Sequence, residues 1–235
     1  MALNFSRYDT RHYITAPVRQ GYATWSRFYD AQMDGNLDLV LLEQITDVDW
    51  AAVRSAVDLG CGTGRTGAWL VEHGVATVEG VDLTPEMLAG ARRRGVYRTL
   101  REEDLCATSL PGGTADLVVS CLAIGHVPDL GAAYDEVDRL LRPEGRFVLV
   151  GYHPFFLLAG VPTHFHGENG EPVAIRNHIH LFSDHVRTGV SRQWTLGEMS
   201  ERIVDESWVD NAPGWARHLH RPASFALVWR KTTIR

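Results

Sequence analysis

The sequence is short of cysteine. Its 235 residues hold three, Cys61, Cys106 and Cys121, scattered and odd in number. That count and spacing exclude a disulfide framework and a cysteine-based zinc site, and they fit a reducing compartment. Long apolar runs are also missing. No segment approaches the length needed to span a bilayer. The opening Met1-Ala2-Leu3-Asn4-Phe5-Ser6-Arg7-Tyr8 lacks the apolar stretch of a secretory signal. A cytoplasmic location without membrane association is the expectation. Positive charge is not in excess: 23 Lys and Arg stand against 29 Asp and Glu, a net of −6. The longest basic run, Arg92-Arg93-Arg94, falls where a helix C-terminus is expected, and cations are favoured there anyway. Nucleic-acid binding rests on phosphate neutralisation, so none is expected. Internal repeats and low-complexity tracts are absent.

What is present is enough apolar material for a packed core, 45% of residues, in a length that suits one α/β domain. The most informative stretch is Ala56-Val57-Asp58-Leu59-Gly60-Cys61-Gly62-Thr63-Gly64-Arg65. A short apolar strand carries an acid, then runs into three glycines at alternate positions. Arg65 to His73 reads as the helix that follows. Glycine lets backbone approach a ligand without a Cβ clash, and a helix N-terminus favours an anionic group. A dinucleotide fingerprint needs G-x-G-x-x-G. Here the third glycine comes one residue early, and Arg65 stands where that pattern places its last glycine.

Further elements follow in order. Val18 to Met33 fits a helix led in by Pro17, in an arm rich in Tyr8, Tyr13, Tyr22, Trp25, Phe28 and Tyr29. A second helix is expected from about Gly35 to Ile45. Ala76 to Asp82 reads as a strand ending in an acid, about twenty residues past the glycine loop. A carboxylate there can accept both hydroxyls of a ribose. The bland alternative for Asp82 is a helix cap, a task that Thr84 before Pro85 already suits. Pro85 to Arg94 is a helix closed by Gly95. Val96 to Leu100, the run Ala115 to Cys121, and Arg146 to Tyr152 read as strands. The run is apolar throughout, as in a strand buried on both faces. Ile175 to Phe182 reads as strand six and Ser224 to Trp229 as strand seven. A helix is expected to start at Thr195, from its spacing to Glu198.

The Asp58-x-Gly60-x-Gly62-x-Gly64 stretch resembles motif I of the class I S-adenosylmethionine (SAM)-dependent methyltransferases, D-x-G-x-G-x-G. Leu140-Leu141-Arg142-Pro143-Glu144-Gly145-Arg146-Phe147 resembles a second signature of that family. The resemblance is best carried by Ala56 to Gly151. It implies a Rossmann-like α/β fold: a seven-stranded, mostly parallel sheet with helices on both faces and an N-terminal helical lid. Residues 1–50 would be the lid. Residues 51–235 would be the SAM-binding domain, with a substrate-pocket insertion at about 153–182.

By the same resemblance, the cofactor SAM would be held by Asp58, Gly60, Cys61, Gly62 and Gly64 at its methionine end. Asp82 would hold its ribose. Leu83 and Met87 would flank the adenine, or else pack in the core. Asp104 and Leu105 would meet the adenine edge. Cys121 would stand at the cleft end of strand four, and Tyr22 and Tyr29 would cover the cofactor, or else pack on the domain.

The implied reaction is methyl transfer from SAM to an O, N or C atom of a small molecule, a secondary metabolite. An acidic Asp-Glu-His segment is common after strand four in one subgroup. Here Ile124-Gly125-His126 stands in its place. That leaves His126 as first candidate for a general base, with His153 and His180 behind it. The Phe and Leu content of Pro154 to His180 points to an aromatic or lipophilic acceptor. His164-x-His166 and His178-x-His180 could each place two imidazoles on one strand face. No cysteine cluster or H-E-x-x-H accompanies them, so no metal is expected. Two other uses of the fold stay open: a SAM-binding methyltransferase-like cyclase, and a non-catalytic SAM-binding protein. The oligomeric state is open as well.

Overall fold

A computed structural model describes residues 3–33, 36–167 and 170–232. In chain order the elements begin with β1 (Leu3–Asn4), β2 (Ile14–Ala16), α1 (Val18–Trp25), α2 (Tyr29–Gln32) and α3 (Leu39–Gln44). Then come β3 (Ala56–Leu59), α4 (Arg65–Glu72), β4 (Val78–Asp82), α5 (Pro85–Arg94), β5 (Thr99–Glu102) and β6 (Ala115–Cys121). After these lie α6 (Leu130–Leu140), β7 (Leu141–Tyr152), α7 (Pro154–Leu158), β8 (His164–His166), β9 (Pro172–Ile175) and β10 (His178–Ile179). The chain closes with α8 (Phe182–Ser191), β11 (Thr195–Ile203), α9 (Glu206–Asn211), a 3-10 turn (Pro213–His218) and β12 (Pro222–Arg230).

Seven strands form the main sheet in the order β11-β12-β7-β6-β3-β4-β5. The five from β7 to β5 run parallel, and β12 is antiparallel to both its neighbours. This is the Rossmann-like α/β sheet expected. Side chains alternate between two apolar layers, because successive strand residues face opposite sides. Phe147 and Leu149 of β7, with Phe225, Leu227 and Trp229 of β12, pack against Tyr134, Val137 and Leu140 of α6. Val148, Val150, Ala226 and Val228 take the other face, against Leu41 and Leu42 of α3 and Trp69 and Leu70 of α4.

Three expectations are corrected. The helix expected at Thr195 is β11, an edge strand with alternating exposure. Glu198 does not reach back to cap its own chain. Its Oε2 accepts the N–H groups of Thr46 and Asp47, both at 2.9 Å. Second, Ile175 to Phe182 is not strand six of the main sheet. β10 pairs with β1, and β9 lies between β2 and β8 in a separate three-stranded sheet. Asn177 breaks the segment, because its buried Oδ1 accepts the Thr163 N–H. Third, the helix expected over Val18 to Met33 breaks after Trp25. The Trp25 indole N–H donates to Gln32 Oε1 at 2.6 Å and folds α2 back on α1. The α3 helix begins at Leu39, capped by Asp38. Gly35, where it was expected to start, lies outside the described residues. Among the described residues, no helix is long and apolar enough to cross a membrane.

Candidate functional site

The glycine loop leaves the C-terminal end of β3 with positive φ at all three glycines: +77° at Gly60, +53° at Gly62 and +88° at Gly64. L side chains are strained there. At Gly60 space forbids one too, since a Cβ would overlap that of Ala123 in the rim after β6. The loop's N–H groups are largely committed to the protein. Those of Gly60 and Cys61 donate to the Val81 carbonyl at 2.8 and 2.9 Å, and that of Gly64 to the Cys61 carbonyl at 2.8 Å. The Gly62 N–H donates to Asp82 Oδ2 at 2.8 Å. The loop therefore offers closeness more than a row of donors.

Asp82, at the end of β4, also accepts the Thr84 N–H at 2.8 Å through Oδ1. Thr84 makes no side-chain cap of its own. Asp82 thus starts α5 and ties the glycine loop, while each of its oxygens keeps a second acceptor direction. Burial pushes its carboxyl up from the ordinary value, and the two N–H groups oppose that.

A cavity of about 160 Å³ opens along these strand ends. Gly60, Gly62, Asp82, Leu83, Met87, Asp104, Leu105 and Cys121 line it, with Tyr22, Tyr29 and His126. These expected residues are brought together. Asp58, Cys61 and Gly64 are not among the lining residues. Asp58 lies beneath the loop, 1% exposed. Its Oδ2 accepts the Tyr97 hydroxyl at 2.7 Å. Burial pushes its carboxyl up to about 7, against the lowering effect of that bond. Cys61 is buried with its thiol shifted upward by burial, which suits packing and not contact with a ligand. Gly64 is the left-handed N-cap of α4.

The Tyr97 side chain reaches Asp58 through a slot cut by glycine. A Cβ at Gly67 would overlap its ring. One at Gly80 would come within 2.9 Å, and one at Gly64 within 3.0 Å.

His126 sits in a short 3-10 turn after β6. Its Nδ1 meets the Arg176 carbonyl at 2.7 Å and its Nε2 meets the Tyr22 hydroxyl at 2.8 Å. A carbonyl can only accept, so Nδ1 carries the proton and Nε2 accepts from Tyr22. Burial lowers the imidazole to about 4, against the raising effect of Arg176. The ring is neutral near pH 7. Burial raises the Tyr22 phenol well above its ordinary value.

Neither other histidine candidate lines this cavity. His153 caps α7, accepting the Phe155 N–H at Nδ1, and its Nε2 meets Glu201 at 2.8 Å. His180 is buried with Nε2 on the Val127 carbonyl at 2.8 Å. Both are occupied in holding the fold.

A second cavity, of about 430 Å³, adjoins the first. Tyr22, Tyr29 and Leu122 line both. Its other walls come from the arm, from β7 through β8, and from the 3-10 turn near Trp215. Sequence reasoning missed most of them. Leu122 carries one signal visible only in the fold, a φ of +60° in a residue other than glycine. That backbone turn places it between the cavities. Nothing local marks Val18, Ala123, Trp215 or His218.

The arm is fastened across the first cavity's rim. Asp30 accepts from Thr63 Oγ1 at 2.5 Å and from Arg94 at 2.9 Å. Asp38 pairs with Arg65 at 3.2 Å, and Arg19 with Glu102.

A parallel sheet with a glycine loop after β3 and an acid at the end of β4 is a Rossmann-like arrangement for a nucleoside-bearing ligand. Residues 57–149 match the family described as a methyltransferase domain. The resemblance to class I SAM-dependent methyltransferases holds over that segment. A malonyl-(acyl-carrier protein) O-methyltransferase of Halorhodospira halophila is 37% identical over 145 residues, covering 58% of this chain and 48% of that protein. The chain spans about half the length of the curated relatives it matches.

Among solved structures, an S-adenosylmethionine-dependent methyltransferase from Mesorhizobium loti aligns with a TM-score of 0.68 at 24% identity. That alignment covers 84% of this chain and 98% of the other. The (4+2)-cyclase SpnF aligns with a TM-score of 0.63 at 17% identity, covering 94% and 100%. These likenesses show the fold.

Proposed function

We propose that this chain transfers a methyl group from SAM to an O, N or C atom of a small molecule, a secondary metabolite, in the cytoplasm. Nucleic acid is not the acceptor in this reading. The observation that carries it is the meeting of two cavities at Tyr22, Tyr29 and Leu122, one of them bounded by the glycine loop and Asp82.

The residues present fit the cofactor. Asp82 keeps an acceptor direction on each oxygen for the ribose. Gly60 and Gly62 leave room for the methionine end. Leu83, Met87 and Leu105 offer apolar surface for the adenine, with Asp104 beside them. Asp58 and Gly64 support the loop from beneath. When bound, SAM supplies a methyl group already activated by its sulfonium. The chain has to hold the acceptor atom in line, and such positioning can lower a barrier by about 7–11 kcal/mol at best. Residues 1–50 serve as the lid in this reading, fastened through Asp30, Asp38 and Arg19, and residues 51–235 as the domain beneath it.

For a hydroxyl or amine acceptor, Tyr22 and His126 form the proton route. The acceptor's proton passes to Tyr22 Oη as the tyrosine's own proton passes to His126 Nε2. The Arg176 carbonyl, already bonded to Nδ1–H, stabilises the imidazolium. With the imidazole lowered to about 4, charging it at pH 7 costs about 4 kcal/mol. That is small enough for a transient state in a methyl transfer.

The test is incubation with SAM and a panel of phenols, amines and enols, with S-adenosylhomocysteine read by mass spectrometry. Methylated product with equimolar S-adenosylhomocysteine is expected. Tyr22→Phe should lower kcat about 10² to 10⁴-fold for hydroxyl acceptors, with S-adenosylhomocysteine affinity kept. Turnover of a substrate without S-adenosylhomocysteine would instead put the chain with the cyclase-like use of this fold. Cofactor binding with no product would leave a binding protein.

A further inference from the structure

The second cavity carries charge of an unexpected sign. The chain has a net charge of −6, yet the walls of this cavity hold Arg217, His164, His166 and His218 and no Asp or Glu. Among the described residues Arg217 forms no ion pair. Its Nε–H donates to His218 Nε2 at 3.0 Å. A guanidinium cannot accept, so this bond fixes the neutral His218 with its proton on Nδ1.

That Nδ1–H is buried and has no partner among the described residues, in a side chain only 7% exposed. It is closed off from the cavity as well, so the group His218 brings to the site is the Nε2 that steadies Arg217. Arg217, Arg221 and Arg11 oppose a second proton on this ring, next to burial itself. Of these arginines, Arg217 is the one on the cavity wall. Around these donors the walls are aromatic. Phe156 lies 4.8 Å and Trp215 5.7 Å from His218, ring centre to ring centre, and Trp25 and Tyr152 complete the apolar part.

We propose that this cavity binds an aromatic carboxylate, with Arg217 holding the carboxylate, His218 steadying Arg217 through Nε2, and the aromatic walls holding the ring. The proposal rests on the reading that the methyl acceptor enters here. It adds one constraint to that reading. Arg217 and His218 do not border the first cavity, whereas Tyr22, Tyr29 and Leu122 do. The carboxylate is therefore the handle by which the acceptor is held and not the group that is methylated. The product keeps a free acid.

The experiment uses one- and two-ring aromatic carboxylates, 4-hydroxybenzoate and 4-hydroxycinnamate among them, each paired with its primary amide. Binding is read by calorimetry and by tryptophan fluorescence, without SAM. Acids are expected to bind the wild-type chain at least tenfold tighter than their amides. Arg217→Ala should abolish that preference, while amide affinity and S-adenosylhomocysteine affinity stay unchanged. His218→Gln should weaken acid binding and leave amide binding in place. Arg217 is exposed enough that its removal spares the fold, and unchanged S-adenosylhomocysteine affinity certifies this for both variants.

The proposal is overturned if no acid binds better than its amide, or if the preference survives Arg217→Ala. A methyl ester as the product of a turned-over acid would overturn the handle assignment. Failure of the wild-type chain to bind S-adenosylhomocysteine would count against the proposed function alone, because the acid–amide comparison needs no cofactor.

Discussion

The two cavities that meet at Tyr22 are walled by different parts of the fold. The smaller is cut into the C-terminal ends of β3, β4 and β6, and its walls include two acids, Asp82 and Asp104. The larger is enclosed by the arm, the segment after β7 and the 3-10 turn near Trp215, and the charge on its walls is the Arg217 guanidinium. A parallel sheet fixes the first because adjacent strand ends are locked by ladder hydrogen bonds, and loops at such ends fall on one rim. The second depends on segments joined to each other by two small sheets, β1 with β10 and β2 with β9 and β8. Reagent chemistry shared by many proteins suits the rigid rim, and acceptor choice suits the segments laid over it.

Three changes would sharpen or break that contrast. The largest effect is expected beneath the rim. Asp58 has its carboxyl raised to about 7 in the folded chain, so the folded state favours its protonated form. Its contribution to stability is full below its unfolded value near 4 and is lost as pH rises toward 7. The difference between wild type and Asp58→Asn, followed by urea denaturation from pH 4 to 8, should shift by about 4 kcal/mol across that window. A flat difference would mean that the Tyr97 hydroxyl keeps Asp58 charged throughout.

Next, Asp82→Ala leaves the Gly62 and Thr84 N–H groups without their acceptor and removes the ribose contact. A loss of about 3 kcal/mol in S-adenosylhomocysteine affinity, roughly 10²-fold, is expected by calorimetry. Aromatic-acid binding should hold. Equal loss on both sides would show that the cavities are not separate units.

The smallest effect belongs to the fastening between arm and rim. Asp30→Ala should cost about 0.2–1 kcal/mol of stability, since its pair with Arg94 is half-exposed. It should speed S-adenosylhomocysteine release severalfold in stopped-flow, and an unchanged rate would show that the arm does not gate the first cavity.

The rim was readable because its information is local. β6 is apolar nearly throughout, and the Asp58–Gly64 spacing and the acid at Asp82 lie in short stretches. Residues farther along the same stretches misled. His153 and His180 stand near the rim in sequence, but one caps α7 and the other bonds Val127. The β11 strand hid behind a capping spacing, Thr195 to Glu198, whose acid serves Thr46 and Asp47 some 150 residues away. The larger cavity draws on stretches near residues 22–37, 122, 152–166 and 214–218, and no periodicity brings these together. Arg217 and His218 gain their meaning only from that assembly.

The slot that admits Tyr97 has a consequence for how this domain can vary. Gly64, Gly67 and Gly80 come from a cap, a helix and a strand, yet all three are shaped by one phenol ring. Enlarging Gly67 would evict the ring and strip Asp58 of its hydrogen bond, and a side chain at Gly80 or Gly64 would crowd it. A homologue carrying alanine at the counterpart of Gly67 should therefore carry a smaller side chain at the counterpart of Tyr97, and these positions should drift as a linked set.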